Sequence, residues 1–588
     1  MTEATAICKP TPISKEATLF YQVAMPQPAT HLFEVTLQVS NWHSETLNLK
    51  MPVWTPGSYL VREYARHVQD FQAEGSSGEV LTVKKVSKNH WQIKTLGNSD
   101  IKVFYRIYAN ELTVRTNHLD LTHGYFNGAA LFFFIPGLEK QAIKIKIVTP
   151  ESNWQVSTTL AKVEGENNTF IAANFDTLVD SPVEVGKQQI HNFNVLNIPH
   201  SLAIWGKGNA DPQRIINDTK KIIIQEAELF GGLPYQQYLF LLHLSGSGYG
   251  GLEHKDCCTL NYPRFGFRDR DKYNRFIQLV AHEFFHLWNV KRIRPKALET
   301  FDYEAENYTT SLWFCEGTTS YYDLLIPLRA GIYNRQTYLD NLSKDITKYL
   351  NTPGRLIQPL GESSYDAWIK LYRRDAYSDN NQISYYLKGQ LVSLLLDLII
   401  RAKHQNKRSL DDVMRIMWQR FGKSEVGFSE MQLRQVITEV AEENLDDFYT
   451  RYIETTEELP FEQYLSSFGL YLKTVEESDI PYMGIRVQSE NQELIKFVAV
   501  ESPAEQAGIE ANDELLAIDG IRVNAQSLNE RLKDYQVNQT IDVTVFHQDE
   551  LKTLAVTLGK PQVSRYEVVI KDNLSELEQQ NLVGWLGK

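Results

Sequence analysis

Residues 280–295 read VAHEFFHLWNVKRIRP. The stretch holds His-Glu-x-x-His inside an apolar run. Positions i and i+4 of a helix share a face, so His282 and His286 point the same way and can bind one zinc ion. Glu283, one position on, is placed to act as a general base rather than a ligand. Phe276, Ile277, Leu279, Val280, Phe284, Leu287 and Val290 predict a largely buried helix over 273–293.

A catalytic zinc takes three protein ligands and keeps one position open. The next segment able to supply a third is SLWFCEGTTSYYDLL, 311–325, another helical pattern. It carries Glu316 among Leu312, Trp313, Phe314 and Cys315. A carboxylate in such company must be paired or bound to a metal. Glu299, Glu304 and Glu306 are rival ligands in a polar, loop-like segment. KRIRP, 291–295, reads as ion-paired or solvated and is given no part in the site.

The rest of the chain bounds the reading. With 588 residues it exceeds one hydrophobic core, and two to four domains are expected. Its 43% hydrophobic and 23% charged residues suit a soluble globular protein. A formal net charge of -13 argues against a nucleic-acid partner, which would require a basic surface. The four cysteines, Cys8, Cys257, Cys258 and Cys315, form no disulfide framework and no C-x-x-C metal spacing, which favours a reducing compartment. The N-terminus lacks a basic segment followed by an apolar one, so no secretory signal is read there. LVSLLLDLII, 391–400, is too short to span a bilayer, contains Asp397, and reads as part of a buried helix. A cytoplasmic protein with no membrane span is expected.

Three styles of patterning follow one another. Up to about residue 182 the chain is β-rich. HLFEVTLQVS alternates Phe33, Val35, Leu37 and Val39 with polar residues, and HWQIKTL, IKVFYRIYA and IKIKIVTP continue in kind. A β-sandwich-like domain is predicted over 1–182, with MPVWTPGSY (51–59) as an ordered loop. Residues 183–471 are mainly helical. A first helix starts at Asp211-Pro212 and ends at Gly231-Gly232, YLFLLHL (238–244) is a strand, and GSGYGGLEH is a glycine-rich loop. Helices are then expected over 273–293, 308–330, 335–350, 382–405, 409–421 and 428–455. Residues 472–562 form a small α+β module, and 563–588 read as a charged, loosely attached tail. The fold class is multidomain α+β.

H-E-x-x-H followed by a W-x-x-E-G helix is the gluzincin pattern of thermolysin-like and aminopeptidase-like enzymes. HEFFHLWNVKRIRP with LWFCEGTTSYYDLL resembles, within it, the glycyl aminopeptidase family, whose members carry a C-terminal PDZ domain. The 30 positions from His286 to Glu316 exceed the gap in the better-known gluzincin branches and resemble this family's own spacing. The resemblance implies a thermolysin-like catalytic domain and one zinc held by His282, His286 and Glu316. It also implies an aminopeptidase acting on small N-terminal residues, glycine and alanine.

Other residues are carried over from the same resemblance. GYGGLEH, 248–254, is similar to the G-x-M-E-N loop of the leukotriene-hydrolase and alanyl-aminopeptidase branch, with Leu252 for Met and His254 for Asn. Gly250 and Gly251 would align the peptide backbone, and Glu253 would bind its free α-amine. Y-x-K-G in ISYYLKGQLVSLLLDL puts Tyr386 at that branch's catalytic tyrosine, with Tyr385 as the fallback. YMGIRV (482–487) with SPAEQAGIEANDELLAIDG resembles a protease-associated PDZ domain. Met483, Gly484 and Ile485 would form its loop for a peptide's C-terminal carboxylate. Peptides with a free N-terminus are the implied substrates. The rivals are a zinc endopeptidase and a PDZ scaffold with an inactive peptidase fold.

Overall fold

The structure, a computed structural model, describes residues 17–476, 480–489 and 493–587; Cys8 and the N-terminal segment read for a signal lie outside them. The chain divides into two compact units. One is Met1–Arg292 with Thr300–Asn307, the other Ile293–Glu299 with Tyr308–Lys588.

The first unit begins with the β-sandwich that the alternating residues require. Leu32–Ser40 buries Phe33, Val35, Leu37 and Val39, and pairs antiparallel with Thr18–Ala24 and Ile101–Tyr108. Thr18–Ala24 also pairs in parallel with Ile143–Val148 within a seven-stranded sheet. A three-stranded sheet contributes Leu47, Leu49, Trp91 and Ile93 to the same core.

A five-stranded sheet follows, in the order Gln189–Val195, Ile198–Trp205, Tyr238–Ser245, Cys257–Pro263, Gly250–Glu253. Tyr238–Ser245 lies between parallel neighbours and is buried throughout, which is why it reads as a continuous apolar run. The helix Pro212–Phe230 forms the crossover before it. Asp211 caps its start by accepting from the N–H groups of Gln213 and Arg214, and Gly231, at φ 81°, ends it in the left-handed region. Here the structure corrects one expectation. GGLE is not loop but the last strand of the sheet, antiparallel to Cys257–Pro263. Too short and glycine-rich to show a period, it forms because it pairs with its neighbour.

The helix carrying the histidines runs Arg270–Phe285 and stops short of the expected residue 293. Past its end the chain turns, so that the Asn289 carbonyl meets His286 Nδ1 at 2.6 Å. Lys291 pairs with Asp180, and Arg292 pairs with Asp256 and bonds the Leu287 carbonyl. Apolar periodicity continues through these residues, but their polar partners decide the backbone path.

The second unit is helical around Tyr385–His404, whose residues are nearly all buried. The span Ser378–His404 that includes it is long and apolar enough to cross a membrane, but it is mostly buried and serves as the core of its unit. Trp313–Gly317 forms a π-helical turn continuous with Thr318–Arg329. The expected helix over 428–455 is broken. Glu430–Ala441 ends at Glu442, in the left-handed region at φ 51°, and shorter turns follow.

The sheet of the C-terminal module has the order Ile485–Ser489, Glu493–Val498, Glu514–Ile518, Thr540–His547, Glu550–Thr557. The last residues are not loose. Val563–Ile570 pairs with Leu470–Glu476, and a helix Glu576–Leu586 follows a capping box of Ser575 and Glu578. Leu582, Trp585 and Leu586 bury its inner face, outweighing the charge that suggested a tail.

Candidate active site

In the first unit, His282 and His286 stand one turn apart with ring centroids 4.6 Å apart. His286 is buried and its Nδ1 faces the Asn289 carbonyl, an arrangement that fixes the ring and leaves Nε2 for a metal. The donor chemistry therefore fits zinc.

Glu283 is buried at the end of the same helix. A Cβ on Gly251 would collide with the Glu283 carboxyl group, so the edge strand passes against the carboxylate with no room for a side chain. Glu253, two residues further along, is 3% exposed. Its Oε1 is buried without a hydrogen-bond partner among the described residues. Ligand atoms of Glu253, Glu283 and His286 all lie within 4.8 Å of one another. Two carboxylates and an imidazole thus meet where an edge strand offers its backbone.

Two further residues of this surround are not among the site residues read from the sequence. Gly57, in the MPVWTPGSY loop, has φ 86°, and a Cβ there would stand 2.5 Å from Glu253 Oε1. The loop is pinned by the Trp54 indole, which donates to the Asp302 carbonyl at 2.7 Å. Arg115 donates from Nη2 to the Gly251 carbonyl at 3.2 Å. Both reach the site from distant sequence, and no local motif marks them.

His254, which stands where the related loop has Asn, is turned to Asp180 at 3.1 Å. Burial by itself would raise the Asp180 pKa. The Lys291 ammonium at 2.6 Å and the His254 bond outweigh it and hold the carboxyl well below the usual carboxylate range. KRIRP is consumed by such pairs, since Arg294 also meets Glu425. Burial pushes the Cys257 and Cys258 thiols up, so neither is a ready nucleophile.

In the second unit, Glu316 is buried in the π-helical turn, a distortion frequent at functional sites. The rival carboxylates are otherwise engaged or more open. Glu299 pairs with Lys296 and accepts from the Gly427 N–H. In the first unit, Glu304 pairs with Lys50 at 2.6 Å, and Glu306 is only half-buried. Tyr386 lies in the first turn of the core helix, partly open, with its hydroxyl 2.9 Å from the Tyr372 hydroxyl. Tyr385 is fully buried and stacks on Tyr386, centroids 4.7 Å apart. Tyr386 is thus the more open of the pair.

Met483 and Gly484 sit at the start of the PDZ edge strand. Their carbonyls accept from the N–H groups of Ala504 and Ala499. Gly484 has φ 91°, and a Cβ there would strike Ser502. Ile485 begins the strand, whose outer edge is unpaired among the described residues.

A His-Glu-x-x-His helix with Glu283 and His286 buried, beside a second buried carboxylate on a sheet edge, defines a metallopeptidase of the aminopeptidase kind. Residues 20–187 match the Peptidase M61 N-terminal domain, 275–392 the M61 glycyl aminopeptidase and 481–558 the PDZ domain. The crystal structure of an aminopeptidase N family protein from Idiomarina loihiensis aligns with a TM-score of 0.91 at 31% identity, over 97% of this chain and 100% of that one. The chain belongs to the M61 glycyl aminopeptidase family. An M1 zinc metallopeptidase from Deinococcus radiodurans aligns with a TM-score of 0.45 at 12% identity, over 73% of this chain and 93% of that one. Native yeast LTA4 hydrolase does so at 0.46 and 13%, over 77% and 70%. No curated protein matches the sequence.

Proposed function

We propose that the protein is a zinc-dependent aminopeptidase that removes the first residue of peptides with a free N-terminus. The observation that carries this is Glu253. A buried carboxylate oxygen without a hydrogen-bond partner is costly, and a peptide's ammonium group would satisfy it. It lies within 4.8 Å of Glu283 and His286 ligand atoms, so an amine held there presents its own first carbonyl to them.

His282, His286 and Glu316 are the proposed ligands of one zinc ion, a two-imidazole, one-carboxylate set suited to that metal. When bound, the ion supplies Lewis-acid polarisation and an acidified water. Glu283 takes the proton of the attacking water and returns it to the leaving amine. Tyr386 donates its phenolic hydrogen to the developing oxyanion. Gly250 and Gly251 lend their backbone to the substrate as to an added strand, and Glu253 fixes which bond is cut. The family description supports a preference for an N-terminal glycine, and alanine is proposed as the next smallest first residue. Met483, Gly484 and Ile485 are the proposed carboxylate loop for a C-terminal peptide at the PDZ domain. Cys257, Cys258 and Cys315 are buried and form no disulfide among the described residues, which supports a reducing, cytoplasmic setting.

The test is hydrolysis of alanyl- and glycyl-p-nitroanilide beside their N-acetylated forms, by wild type, Glu283→Gln and Glu253→Gln, with zinc assayed in each. The expected result is cleavage of free-amine substrates alone, abolished in Glu283→Gln with zinc retained. Glu253→Gln should raise KM for them. Equal cleavage of acetylated substrates would replace this reading with an endopeptidase, and absence of both zinc and cleavage would replace it with a scaffold.

A further inference from the structure

The Arg115 guanidinium has no carboxylate partner among the described residues. It is half-buried, and its Nε is buried without a hydrogen-bond partner among those residues. Its position is built rather than incidental. The Tyr64 hydroxyl donates to the Arg115 carbonyl at 2.9 Å, and the Arg115 N–H donates to Thr113 Oγ1 at 3.1 Å. Thr116 Oγ1 ties the same loop to the Glu111 carbonyl at 2.7 Å. The side chain ends on the edge strand. Nη2 meets the Gly251 carbonyl, and Nη1 lies 4.0 Å from where a Cβ on Gly250 would stand.

The edge strand gives these contacts a direction. Glu253, the proposed amine anchor, is at one end, and Gly251 lies against Glu283. A peptide held by its ammonium at Glu253 and cut beside Glu283 continues towards Gly250. Arg115 stands there. Two to three strand residues span about 7–10 Å, close to the extended length of a dipeptide or tripeptide from its ammonium to its carboxylate. Guanidinium groups favour carboxylates as paired, planar partners.

We propose that Arg115 binds the C-terminal carboxylate of di- and tripeptides, so that Glu253 and Arg115 together select short peptides by their two charged ends. The inference rests on the aminopeptidase reading above. Arg115 is then a specificity-determining residue, acting on substrate affinity.

The experiment uses the full-length, zinc-loaded protein. KM and kcat are measured for Ala-Ala-Ala and for its C-terminal amide, with wild type, Arg115→Gln and Arg115→Lys, alongside melting temperature and zinc content. Wild type should show a KM about tenfold lower for the free acid than for the amide, as a charge-assisted hydrogen bond supplies. Arg115→Gln should bring the acid-to-amide ratio to near one through KM, and Arg115→Lys should keep part of it. No acid preference in wild type, a ratio unchanged in Arg115→Gln, or an equal loss for both substrates would overturn the proposal. Alanyl-p-nitroanilide, which has no carboxylate, separates the two readings. If wild type cleaves it without preferring the acid, only the role of Arg115 falls. If wild type cleaves nothing, the aminopeptidase reading falls and the proposal with it.

Discussion

The Cα of Gly389 lies 2.5 Å from where a Cβ on Gly317 would stand. The two glycines belong to W-x-x-E-G and Y-x-K-G, and both motifs lie in the second unit. Their backbones touch because neither has a side chain, and this contact sets the turn bearing Glu316 against the helix bearing Tyr386. A Cβ on Gly389 would meet the Trp313 carbonyl oxygen at 2.7 Å and the Gly317 Cα at 3.1 Å. Backbone cannot yield as a flexible side chain can. Gly389→Ala should therefore lower stability by about 1–3 kcal/mol and reduce kcat, as melting temperature and p-nitroanilide kinetics would show. An unchanged kcat would mean that the spacing of these two segments does not matter to the chemistry.

Gly251→Ala tests the edge strand. The new methyl would displace the Glu283 carboxyl group, which is the proposed base. A shift of about 1 Å in a reacting group costs roughly 100-fold in rate, so kcat should fall by that order. The melting temperature should move little, because the strand's pairing to Cys257–Pro263 is unaffected.

Lys388, inside Y-x-K-G, predicts a pH-dependent stability. It is 0% exposed, and its ammonium nitrogen has no hydrogen-bond partner among the described residues. Burial brings its pKa down to about 8 from the ordinary lysine value of 10.5. The folded state therefore binds this proton more weakly than the unfolded one. Below about pH 8 both states carry the charge and the fold bears the whole cost, about 3 kcal/mol. As pH rises from 8 to 10.5 the unfolded state still binds the proton that the folded state has lost, and the cost shrinks. Lys388→Met should thus be the more stable protein at pH 7, with the gap closing towards pH 10. Chemical denaturation of both proteins across that range would measure it, and a constant gap would contradict it.

Trp585 shows that the chain's last helix is part of the fold. It is 2% exposed, and its indole N–H donates to the Tyr321 hydroxyl at 3.1 Å. Tyr321 donates in turn to Asp397, which pairs with Arg401 at 2.7 Å. Trp585→Ala should cost about 3–5 kcal/mol, from the cavity and the broken buried network. A drop in melting temperature would register this, and an unchanged value would return these residues to the status of a tail.

The sequence by itself determined what is local. The i, i+4 spacing of His282 and His286 fixes their common face wherever the helix lies. Alternation along Leu32–Ser40 fixes which side chains enter the sandwich core, and Asp211-Pro212 with Gly231 fixes the ends of one helix. The burial of Glu316 was legible from the apolar residues around it in the sequence. Only the tertiary structure decided the rest. GGLE became a strand through pairing with a neighbour, and the helix after His286 ended because Asn289, Lys291 and Arg292 found partners elsewhere. Charge on 563–588 concealed a packed helix. Gly57 and Arg115 lie more than a hundred residues from the GGLE strand in the chain, yet Gly57 meets Glu253 and Arg115 meets Gly251. Local periodicity records which face of an element is buried. It holds no record of which distant backbone comes near, because that is set by the summed packing of the whole core.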